Sequence, residues 1–444
     1  MSATKLVVLH VDGLSAEALR RAMDAGHMPF LRRFIDEEGY DIHPYRCGIP
    51  STTPFAQAGI LYGDNSEIPS FRWWDRERRV LVQFGARSTF KKVEDKYFHG
   101  CEPLTKGGAC IAACYPAGAA DDFGIAYHDR TYGAEDRSRS ALSVLLPYLA
   151  NPVHLGDWVW QTVAMTGRTV RDYATARSEG RHPARTYVAA DVLEEIFVHH
   201  LTRYAVRKAM REGYSPIYAG FYAFDETAHA FGPADHAAQN ILRHVDDTIE
   251  KIAKARAGAY ELVVLSDHGH VETTPFPLGR MLENLLPEQL IVTASGGLAH
   301  VFAKDSPRRL SLGEVKARFP QLPAVLGEID EVALVMAREG DQDVIQGKGA
   351  DLSVYGEDAE ILREQLSRLN SFASSGDLIV FGAWKGGKQV NFEEQAGGHG
   401  SIGGEQLRPF VLAKREWGLD LSQVRGAHEL HPILCGLRDH LGRD

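Results

Sequence analysis

The sequence predicts an α/β fold, in which a doubly wound, mostly parallel sheet is flanked by helices and carries inserted cap segments. Three observations support this class. Apolar runs of strand length recur along the chain and are followed by amphipathic, helix-like segments. Acidic and imidazole side chains follow these apolar runs directly, and two irregular blocks interrupt the pattern. Strands that alternate with helices build a parallel sheet with helices on both faces.

The first strand and helix are predicted at the start of the chain. KLVVLHVDG is typical of a buried parallel strand ending at Asp12, because a strand covered on both faces is apolar throughout. Ser15 indicates the start of an amphipathic helix, since a serine side chain can cap the free N–H groups of a helix N-terminus. We expect this helix to end near Gly26.

A second strand and helix, followed by a third strand, are predicted in the middle of the chain. PIYAGFYAFDETAH begins with an apolar strand, and the segment after it places Ile241, Val245, Ile249 and Ile252 at helical spacing. YELVVLSDHGH is the next strand. A strand, a helix and a strand in this order predict two parallel strands with a right-handed connection.

Two blocks lack this regular pattern. Residues 75–185 are rich in Arg, Gly and Tyr, contain a strand-like GACIAACYP, and are expected to form a cap or insertion over the sheet edge. Residues 306–390 are expected to form a second insertion with strands at EVALVMA and DLIVFG. Because no long linker separates these blocks from the rest, residues 1–444 are expected to form a single domain.

Charge and composition restrict the partners. The net charge is −10 at pH 7 and the pI is near 6.0, which argues against a basic face for a nucleic-acid polymer or an acidic membrane. The apolar N-terminal run ends in an aspartate without a cleavage site, and no stretch approaches the roughly 20 apolar residues of a membrane span. Five scattered cysteines do not suggest a disulfide framework. We therefore expect a cytoplasmic protein.

Acidic and histidine side chains follow all three predicted strands. Asp12 ends the first strand. Asp225 and His229 follow the second, and Asp267 and His268 follow the third. Parallel strands bring their carboxyl ends to one sheet edge, where open α/β folds bind ligands, and burying such groups without partners is costly. Carboxylates and imidazoles spaced four apart on a helical turn are typical of metal sites.

The stretch GIPSTTPFAQAGILYG predicts a helix that begins beside a hydroxyl group. Pro54 has no N–H and suits the first helical position, so Thr53 is predicted to be the N-cap. Backbone donors and the positive end of the helix dipole converge there, which favours a phosphate or another anion. The alternative for this stretch alone is a cap with no binding role.

A late histidine is a further candidate ligand. His399 lies between glycines in EEQAGGHGSIGG, and fixing a side chain in so flexible a segment costs entropy unless something binds it. By itself it could equally be an exposed loop histidine. His10 and His236 are not expected in the site, and His270 is expected to orient a ligand through its ring nitrogen, with core packing as the alternative.

Taken in order, these features resemble the alkaline phosphatase superfamily, and within it the nucleotide pyrophosphatase/phosphodiesterase branch. The order is an aspartate after the first strand, a hydroxyl at a proline-containing helix start, Asp-x-x-x-His, Asp-His-Gly and a late Gly-His-Gly. The resemblance implies a site for two divalent cations, with zinc expected and manganese as the alternative. One cation would be held by Asp12, Thr53, Asp267 and His268, and the other by Asp225, His229 and His399.

The same resemblance implies a single catalytic domain that hydrolyses a small-molecule phosphate ester, such as a nucleotide. Thr53 matches the nucleophile of the family, and a divalent cation would lower the pKa of its hydroxyl. A phospho-threonine intermediate would form and then be hydrolysed. The alternatives are a phosphomonoesterase, a phosphonate hydrolase or a manganese phosphomutase of the same superfamily, or a catalytically silent metal-binding protein. The oligomeric state is left open.

The chain departs from this family at one position. The branch commonly uses an asparagine downstream of the nucleophile to contact a phosphate oxygen, and in EIPSFRWWDRERR the matching position falls near Trp74. Arg72 is the candidate to replace it, since a guanidinium binds phosphate through two N–H groups. Trp74 is a candidate to stack on a nucleobase. The alternatives are an exposed arginine and a tryptophan packed into the core or cap.

Overall fold

A computed structural model describes residues 4–83, 89–121, 123, 145–180 and 189–442. Its strands are β1 Lys5–Val11, β2 Tyr40–Pro44, β3 Arg72–Asp75, β4 Val80–Gln83, β5 Ala109–Ile111, β6 Ile217–Phe221, β7 Tyr260–Leu265, β8 Val271–Pro275, β9 Leu290–Ser295, β10 Leu298–Ala303, β11 Val332–Glu339, β12 Gln342–Gln346, β13 Leu378–Gly382, β14 Trp384–Lys385, β15 Lys388–Asn391, β16 Gly397–Gly398 and β17 Phe410–Lys414.

The helices include two long ones in the first half of the chain. In order they are α1 Ala16–Asp24, α2 Pro29–Glu38, α3 Thr53–Tyr62, α4 Thr89–Tyr97, α5 Pro152–Ser178, α6 Ala189–Glu212, α7 Ala223–Phe231, α8 His236–Ala255, α9 Leu278–Leu285, α10 Leu312–Arg318, α11 Leu322–Glu328, α12 Ala359–Ser371 and α13 Leu430–Leu441. Among the described helices, none combines the length and the apolarity that crossing a bilayer requires.

The central sheet has six strands in the order β2-β17-β7-β1-β6-β5. β1 pairs in parallel with both β6 and β7, β5 pairs in parallel with β6, and β17 is antiparallel to its two neighbours. The mostly parallel sheet predicted from the sequence is therefore confirmed. β6 and β7, which precede and follow α8 in the sequence, are separated in the sheet by β1.

The sheet is covered on both faces, as a doubly wound fold requires. Along β1, Leu6 and Val8 belong to one hydrophobic cluster, whereas Val7, Leu9 and Val11 belong to another on the opposite face. All five side chains are 0–1 % exposed. Side chains alternate between the faces of a strand, so an uninterrupted apolar run is what a strand between two layers of helices needs.

The predicted helices form with the expected caps and buried faces. The Ser15 hydroxyl accepts a hydrogen bond of 2.9 Å from the Ala18 N–H, which satisfies one of the free donors at the start of α1. On α8, the buried face includes Ile241, Val245 and Ile249. Both helices therefore pack through the apolar stripe that their spacing predicts.

The two irregular blocks differ in structure. β5, within residues 75–185, joins the edge of the central sheet; residues 84–88, 122, 124–144 and 181–185 of that block lie outside the described residues. The strands predicted at EVALVMA and DLIVFG are β11 and β13. They belong to a five-stranded antiparallel sheet, β12-β11-β13-β10-β9, which begins at Leu290, before the predicted second insertion. This sheet has a hydrophobic core of its own.

A buried histidine attaches the antiparallel sheet to the loop before β3. His300 of β10 is fully buried. Its Nδ1 accepts a hydrogen bond of 3.0 Å from the Gly376 N–H, and its Nε2 donates one of 3.0 Å to the Pro69 carbonyl. Burial lowers the pKa of His300 to about 3. The ring is thus neutral at pH 7, and a second proton would face the Gly376 N–H.

Candidate metal centre

The strand order brings the predicted acidic residues to one edge of the central sheet. Asp12 follows β1, and its N–H donates to the Phe221 carbonyl at the end of β6, at 3.0 Å. Asp225 lies in the first turn of α7, directly after β6. On the other side of β1, strand β7 ends at Leu265, which pairs with His10 of β1. Asp267 lies two residues after Leu265. The three carboxylates therefore meet above β1.

One group of side chains forms around Thr53. The Thr53 Oγ1 lies 3.4 Å from Asp12 Oδ2 and 3.1 Å from His268 Nε2. The His268 Nε2 is 3.5 Å from Asp267 Oδ2. All four residues are buried. They are the four that the family resemblance assigns to the first cation, and the structure brings them together.

A second group forms around Asp225. The Asp225 Oδ2 is 3.2 Å from His229 Nε2, and the His399 Nε2 is 3.2 Å from His229 Nε2 and 3.7 Å from Asp225 Oδ1. These are the three residues that the family resemblance assigns to the second cation. The two groups adjoin, since the rings of His268 and His399 stack with centroids 3.9 Å apart.

The three histidines of these groups share one orientation. Each directs Nε2 into the cluster and uses Nδ1 for a backbone carbonyl: His229 to Gly397 at 3.0 Å, His399 to Ser51 at 2.7 Å, and His268 to Gly269 at 3.1 Å. A carbonyl acceptor fixes the proton on Nδ1 and leaves the lone pair of Nε2 free. This is the tautomer and orientation that metal-ligating histidines have.

The loop that follows β15 holds two of these histidines in place. The Ala396 N–H donates to the His229 carbonyl at 2.8 Å. The His399 carbonyl accepts from the Gly297 N–H at 3.1 Å. Gly296 has a φ of +66°, and a Cβ there would lie 1.8 Å from the His399 oxygen. Glycine is therefore required at this close approach.

The predicted cap position at Thr53 is wrong by one residue. α3 begins at Thr53, its N-cap is Thr52 in an extended conformation, and Pro54 is the second helical residue. Proline is tolerated throughout the first turn, because none of the first four N–H groups has a partner within the helix. The Thr53 side chain is therefore free of a capping hydrogen bond and lies in the cluster.

Two further histidines contact the cluster. His270 Nε2 is 2.6 Å from Asp225 Oδ1, and His10 Nε2 is 3.0 Å from Asp267 Oδ1. The first agrees with the expected orienting role of His270. The second was not expected, because His10 was not predicted to belong to the site; Gln57 contacts its Nδ1 at 3.1 Å. Both imidazoles are buried and touch a carboxylate that the sequence predicts as a ligand.

Like charges lie unusually close in this cluster. Burial, together with the charges of Asp267 and Asp225, raises the pKa of Asp12 well above its usual value. Burial lowers the pKa of His229, but the adjacent Asp225 outweighs this and brings it to about 9. Burial lowers the pKa of His399 well below its usual value. Buried carboxylates that lie this close together repel one another unless a positive charge lies among them.

The donor set fits divalent cations. Asp267 is fully buried, and its Oδ2 has no hydrogen-bond donor among the described residues. The side chains around Asp267 offer imidazole nitrogens and carboxylate oxygens as further ligands. The donor atoms of Asp225, His229, His270 and His399 lie within 4.8 Å of one another, as do those of Asp12, Asp225 and His268. Nitrogen and carboxylate ligands without thiolates suit zinc and also manganese.

The cluster opens into a cavity of about 350 Å³. Thr53 and Arg72 both line it. The guanidinium of Arg72 is 2.9 Å from a Glu393 carboxylate oxygen, and the other oxygen of Glu393 accepts from the Gly296 N–H at 2.7 Å. Trp74, in contrast, packs against the hydrophobic core and does not line this cavity. The structure therefore brings Arg72, but not Trp74, to the cluster.

Solved structures similar to this chain include a phosphonoacetate hydrolase and ectonucleotide pyrophosphatase / phosphodiesterases. Phosphonoacetate hydrolase from Sinorhizobium meliloti 1021, in complex with phosphonoacetate, is 15% identical with a TM-score of 0.57 over 98% of this chain and 96% of that chain. Human ectonucleotide pyrophosphatase/phosphodiesterase 5 is 12% identical with a TM-score of 0.57, over 98% and 95%. An inactive threonine-to-alanine variant of the murine protein, in complex with AMP, is 12% identical with a TM-score of 0.54, over 98% and 95%.

At these identities the likeness shows the fold. The solved structures share the α/β architecture of this chain, in which carboxylates and imidazoles gather at the strand ends of the central sheet. The sequence model described as type I phosphodiesterase / nucleotide pyrophosphatase matches residues 6–395, and the chain belongs to this family. No curated protein matches the sequence significantly.

Proposed function

We propose that this protein is a two-metal phosphodiesterase that uses Thr53 as its nucleophile, with zinc as the resident cation. The observation that carries the proposal is the position of the Thr53 Oγ1, which lies 3.1 Å from His268 Nε2, within 3.5 Å of both Asp12 oxygens, and at the wall of the cavity. A free threonine hydroxyl is a weak nucleophile near pH 7, and divalent cations would lower its pKa and neutralise phosphoryl charge.

The residues that would hold the cations divide into the two sets described above. Asp12, Asp267 and His268 surround the nucleophile, and Asp225, His229 and His399 lie on the far side of the cluster. Buried, preoriented side chains such as these need no rearrangement when the substrate binds, which is the condition for effective electrostatic stabilisation. The His270 contact with Asp225 would orient that carboxylate.

The chemistry then follows from Thr53. The Thr53 hydroxyl gives its proton to solvent as its oxygen attacks phosphorus. The new P–O bond forms while the bond to the leaving oxygen breaks, and the leaving oxygen takes up a proton from solvent. Water then attacks phosphorus in the phospho-threonine, the P–O bond to Thr53 breaks, the phosphate product leaves, and the proton of the attacking water restores the hydroxyl. The inactive murine relative with a threonine replaced by alanine supports a threonine in this role.

The position of Arg72 favours a substrate with a negatively charged phosphoryl group. Its guanidinium lies at the cavity, in the sequence region where the family places an asparagine, and Glu393 holds it. We propose that Arg72 donates two N–H groups to non-bridging phosphate oxygens, as arginine does at many phosphate sites. Trp74 is not proposed to contact the substrate, because it does not line the cavity.

The experiment that tests this proposal combines elemental analysis with parallel assays. Purified protein would be assayed on bis(p-nitrophenyl) phosphate, p-nitrophenyl phosphate and phosphonoacetate, and its metal content measured. We expect zinc and preferential turnover of the diester. Thr53→Ala should retain the metal and lose turnover. Thr162→Ala is the matched control, since Thr162 lies on α5, its hydroxyl has no partner among the described residues and it does not line the catalytic cavity, and it should stay active.

The outcomes separate this proposal from its alternatives. Unchanged diester hydrolysis by Thr53→Ala would refute the nucleophile. Preference for the monoester or for phosphonoacetate would identify a phosphatase or a phosphonate hydrolase with the same fold. Isomerised product without free phosphate would identify a mutase, and metal binding without any turnover would identify a silent binding protein.

A further inference from the structure

Helix α5 exposes a stripe of large apolar side chains to solvent. Among the described residues, twelve large apolar residues are exposed, and six of them lie on this one helix. The six, each 37–74 % exposed, are Val153, Leu155, Val159, Trp160, Val163 and Val170. Single exposed apolar side chains are normal, but a contiguous patch marks a surface that contacts a partner. We call these six residues the α5 stripe.

The opposite face of α5 attaches the helix to the protein through polar contacts. Asp157 accepts a hydrogen bond of 3.1 Å from the Arg203 guanidinium of α6. Gln161 Oε1 lies 2.9 Å from His200 Nε2, also on α6. A surface helix normally turns its polar side chains to water and its apolar ones to the protein. On α5, Asp157 and Gln161 face inward while the stripe faces solvent, so the packing of this chain alone does not account for the stripe.

The centre of the stripe has the spacing at which one helix packs against another. Alternating steps of three and four residues connect Val153, Gly156, Trp160, Val163, Gly167 and Val170. This is the spacing of the core positions of a coiled coil, where each large side chain inserts between side chains of the facing helix. The stripe is therefore suited to a second helix.

Gly156 leaves a gap in the stripe beside its largest side chain. A Cβ at Gly156 would meet no atom within 4 Å, so the packing of this chain does not require glycine there, and glycine is unfavourable inside a helix. Pro152, Leu155 and Val159 border the gap in a groove of about 500 Å³. Trp160, which is 72 % exposed, lies one helical turn further along. Each copy of α5 thus carries both a projecting ring and a groove.

We propose that α5 pairs with α5 of a second copy of this chain, in antiparallel orientation, to form a two-fold symmetric dimer. Trp160 of each copy fills the groove over Gly156 of the other, and Val153 of each copy packs against Val163 of the other. Both contacts occur twice, as two-fold symmetry requires. The dimer does not depend on the proposed function, because no residue of the stripe lines the catalytic cavity.

The charges of α5 favour the antiparallel orientation. Arg168, Arg171 and Arg177 are exposed in its C-terminal half, whereas residues 152–167 contain no lysine or arginine. A parallel pair would place the arginines of the two copies side by side. In an antiparallel pair centred two residues before Trp160, the two copies of Arg168 are about 30 Å apart, several times the screening length of about 8 Å.

The stripe is also large enough for a dimer. A specific interface buries at least about 1,000 Å² in total. The twelve stripe side chains of two copies reach this at about 80 Å² each, and one tryptophan can bury about 150–250 Å².

Other occupants suit the stripe less well than a second copy. Helices that lie on a lipid surface are rich in lysine and arginine, whereas residues 152–167 have neither and the net charge of the chain is −10. Residues 124–144 and 181–188, which lie outside the described residues, contain only four large aliphatic side chains between them. They offer less apolar surface than a second stripe does.

Size-exclusion chromatography with light scattering tests the dimer on the full chain. At about 10 µM, above the dissociation constants of interfaces of this size, wild type should have twice the 49.0 kDa of the chain. Trp160→Glu should raise the dissociation constant at least about 100-fold, the effect of losing a central tryptophan. Gly156→Gln fills the groove and should act likewise, although its own helix has room for the side chain.

Leu285→Glu is the matched control. Leu285 is 40 % exposed at the end of α9, outside the stripe, and its replacement adds the same charge as Trp160→Glu. This variant should remain a dimer. Far-UV circular dichroism of all three variants should match wild type, because each replaced residue is exposed.

Disulfide cross-linking tests the orientation without relying on a loss of association. Chains with Val153→Cys and chains with Val163→Cys, mixed and then oxidised, should form cross-linked dimers of unlike chains. Neither chain alone should cross-link above the level of wild type, which carries five cysteines of its own. Cross-linking of either chain alone to the extent seen in the mixture would overturn the antiparallel orientation.

Two further outcomes would overturn the dimer itself. A wild type of 49.0 kDa would do so, and flotation with vesicles of equimolar phosphatidylcholine and phosphatidylserine would then show whether the stripe binds lipid instead. A dissociation constant unchanged in both Trp160→Glu and Gly156→Gln would show that the copies associate through another face.

Discussion

Removing divalent cations should lower the melting temperature of this protein by several degrees. Asp12, Asp225 and Asp267 are each at most 6 % exposed and lie in one cluster, so without bound cations their mutual repulsion is relieved only in part, by protonation of Asp12 and His229, whose pKa values are raised. A cation supplied at 1,000 times its Kd stabilises the folded state by about 4.1 kcal/mol, and two such sites by about 8 kcal/mol. With an unfolding entropy of about 2.1 cal/mol/K per residue, the 444 residues convert this into a shift of about 9 °C.

Differential scanning calorimetry before and after chelation, and after zinc or manganese is returned, measures this shift. Asp225→Asn should reduce the cation-dependent shift by about half, since it removes the carboxylate of one set. Asp246→Asn is the matched control: Asp246 is equally buried on α8, where it accepts the N–H groups of Phe30 and Leu31 at 2.8 Å. It should lower the melting temperature with and without cations and leave the difference intact. A melting temperature that does not respond to chelation or to added cations would refute the reasoning.

Three further predictions concern single side chains. Thr53→Ala should reduce diester hydrolysis at least about 1,000-fold while its cation-dependent thermal shift stays within about 2 °C of wild type; near-normal turnover would contradict a nucleophilic role. Arg72→Lys keeps the charge but loses the pair of N–H groups that can bind two phosphate oxygens at once, so kcat/KM for bis(p-nitrophenyl) phosphate should fall about tenfold. Glu393→Gln should lower the same kcat/KM by a smaller factor. Equal kinetics for Arg72→Lys and wild type would remove Arg72 from phosphate binding. The pKa of His300 is lowered from 6.5 to about 3, so the stability its neutral form provides is present above pH 6.5 and is lost as the pH falls below that value. At pH 5 this loss is about 2 kcal/mol. His300→Gln should therefore show a shallower fall in unfolding free energy between pH 7 and pH 5 in urea titrations, and an unchanged slope would contradict it.

The arrangement of the strands could be predicted because its signals are local. Each apolar run predicts a strand between two layers, and each ends in a side chain that is costly to bury alone, as Asp12 and Asp267 show. Parallel strands share one carboxyl edge. The meeting of Asp12, Asp225, His229, Asp267 and His268 above β1 therefore follows from the order of the elements, without knowledge of their exact register. Thr53 and His399 are assigned to the site only through the resemblance to a family.

What could not be predicted depends on register and on long-range contacts. The contact between His10 and Asp267 follows from the pairing of His10 with Leu265, and no sequence pattern fixes which residues of two strands lie side by side. The ion pair between Arg72 and Glu393 joins segments that no spacing rule connects. The one-residue error at Thr53 has a local cause, since proline occupies either of the first helical positions with little difference in energy.

The short loop at residues 393–399 has a consequence for how this enzyme can diversify. It lines the cavity beside Thr53 through Glu393 and Gln395, its Ala396 N–H donates to the His229 carbonyl, and it ends in His399. A substitution that moves this backbone would displace the cavity wall and His399 together. Phe71 and Gln83 line the same cavity and belong to neither group of the cluster. Changes that reshape the cavity while keeping the cluster intact should accordingly fall at those two positions rather than in the loop.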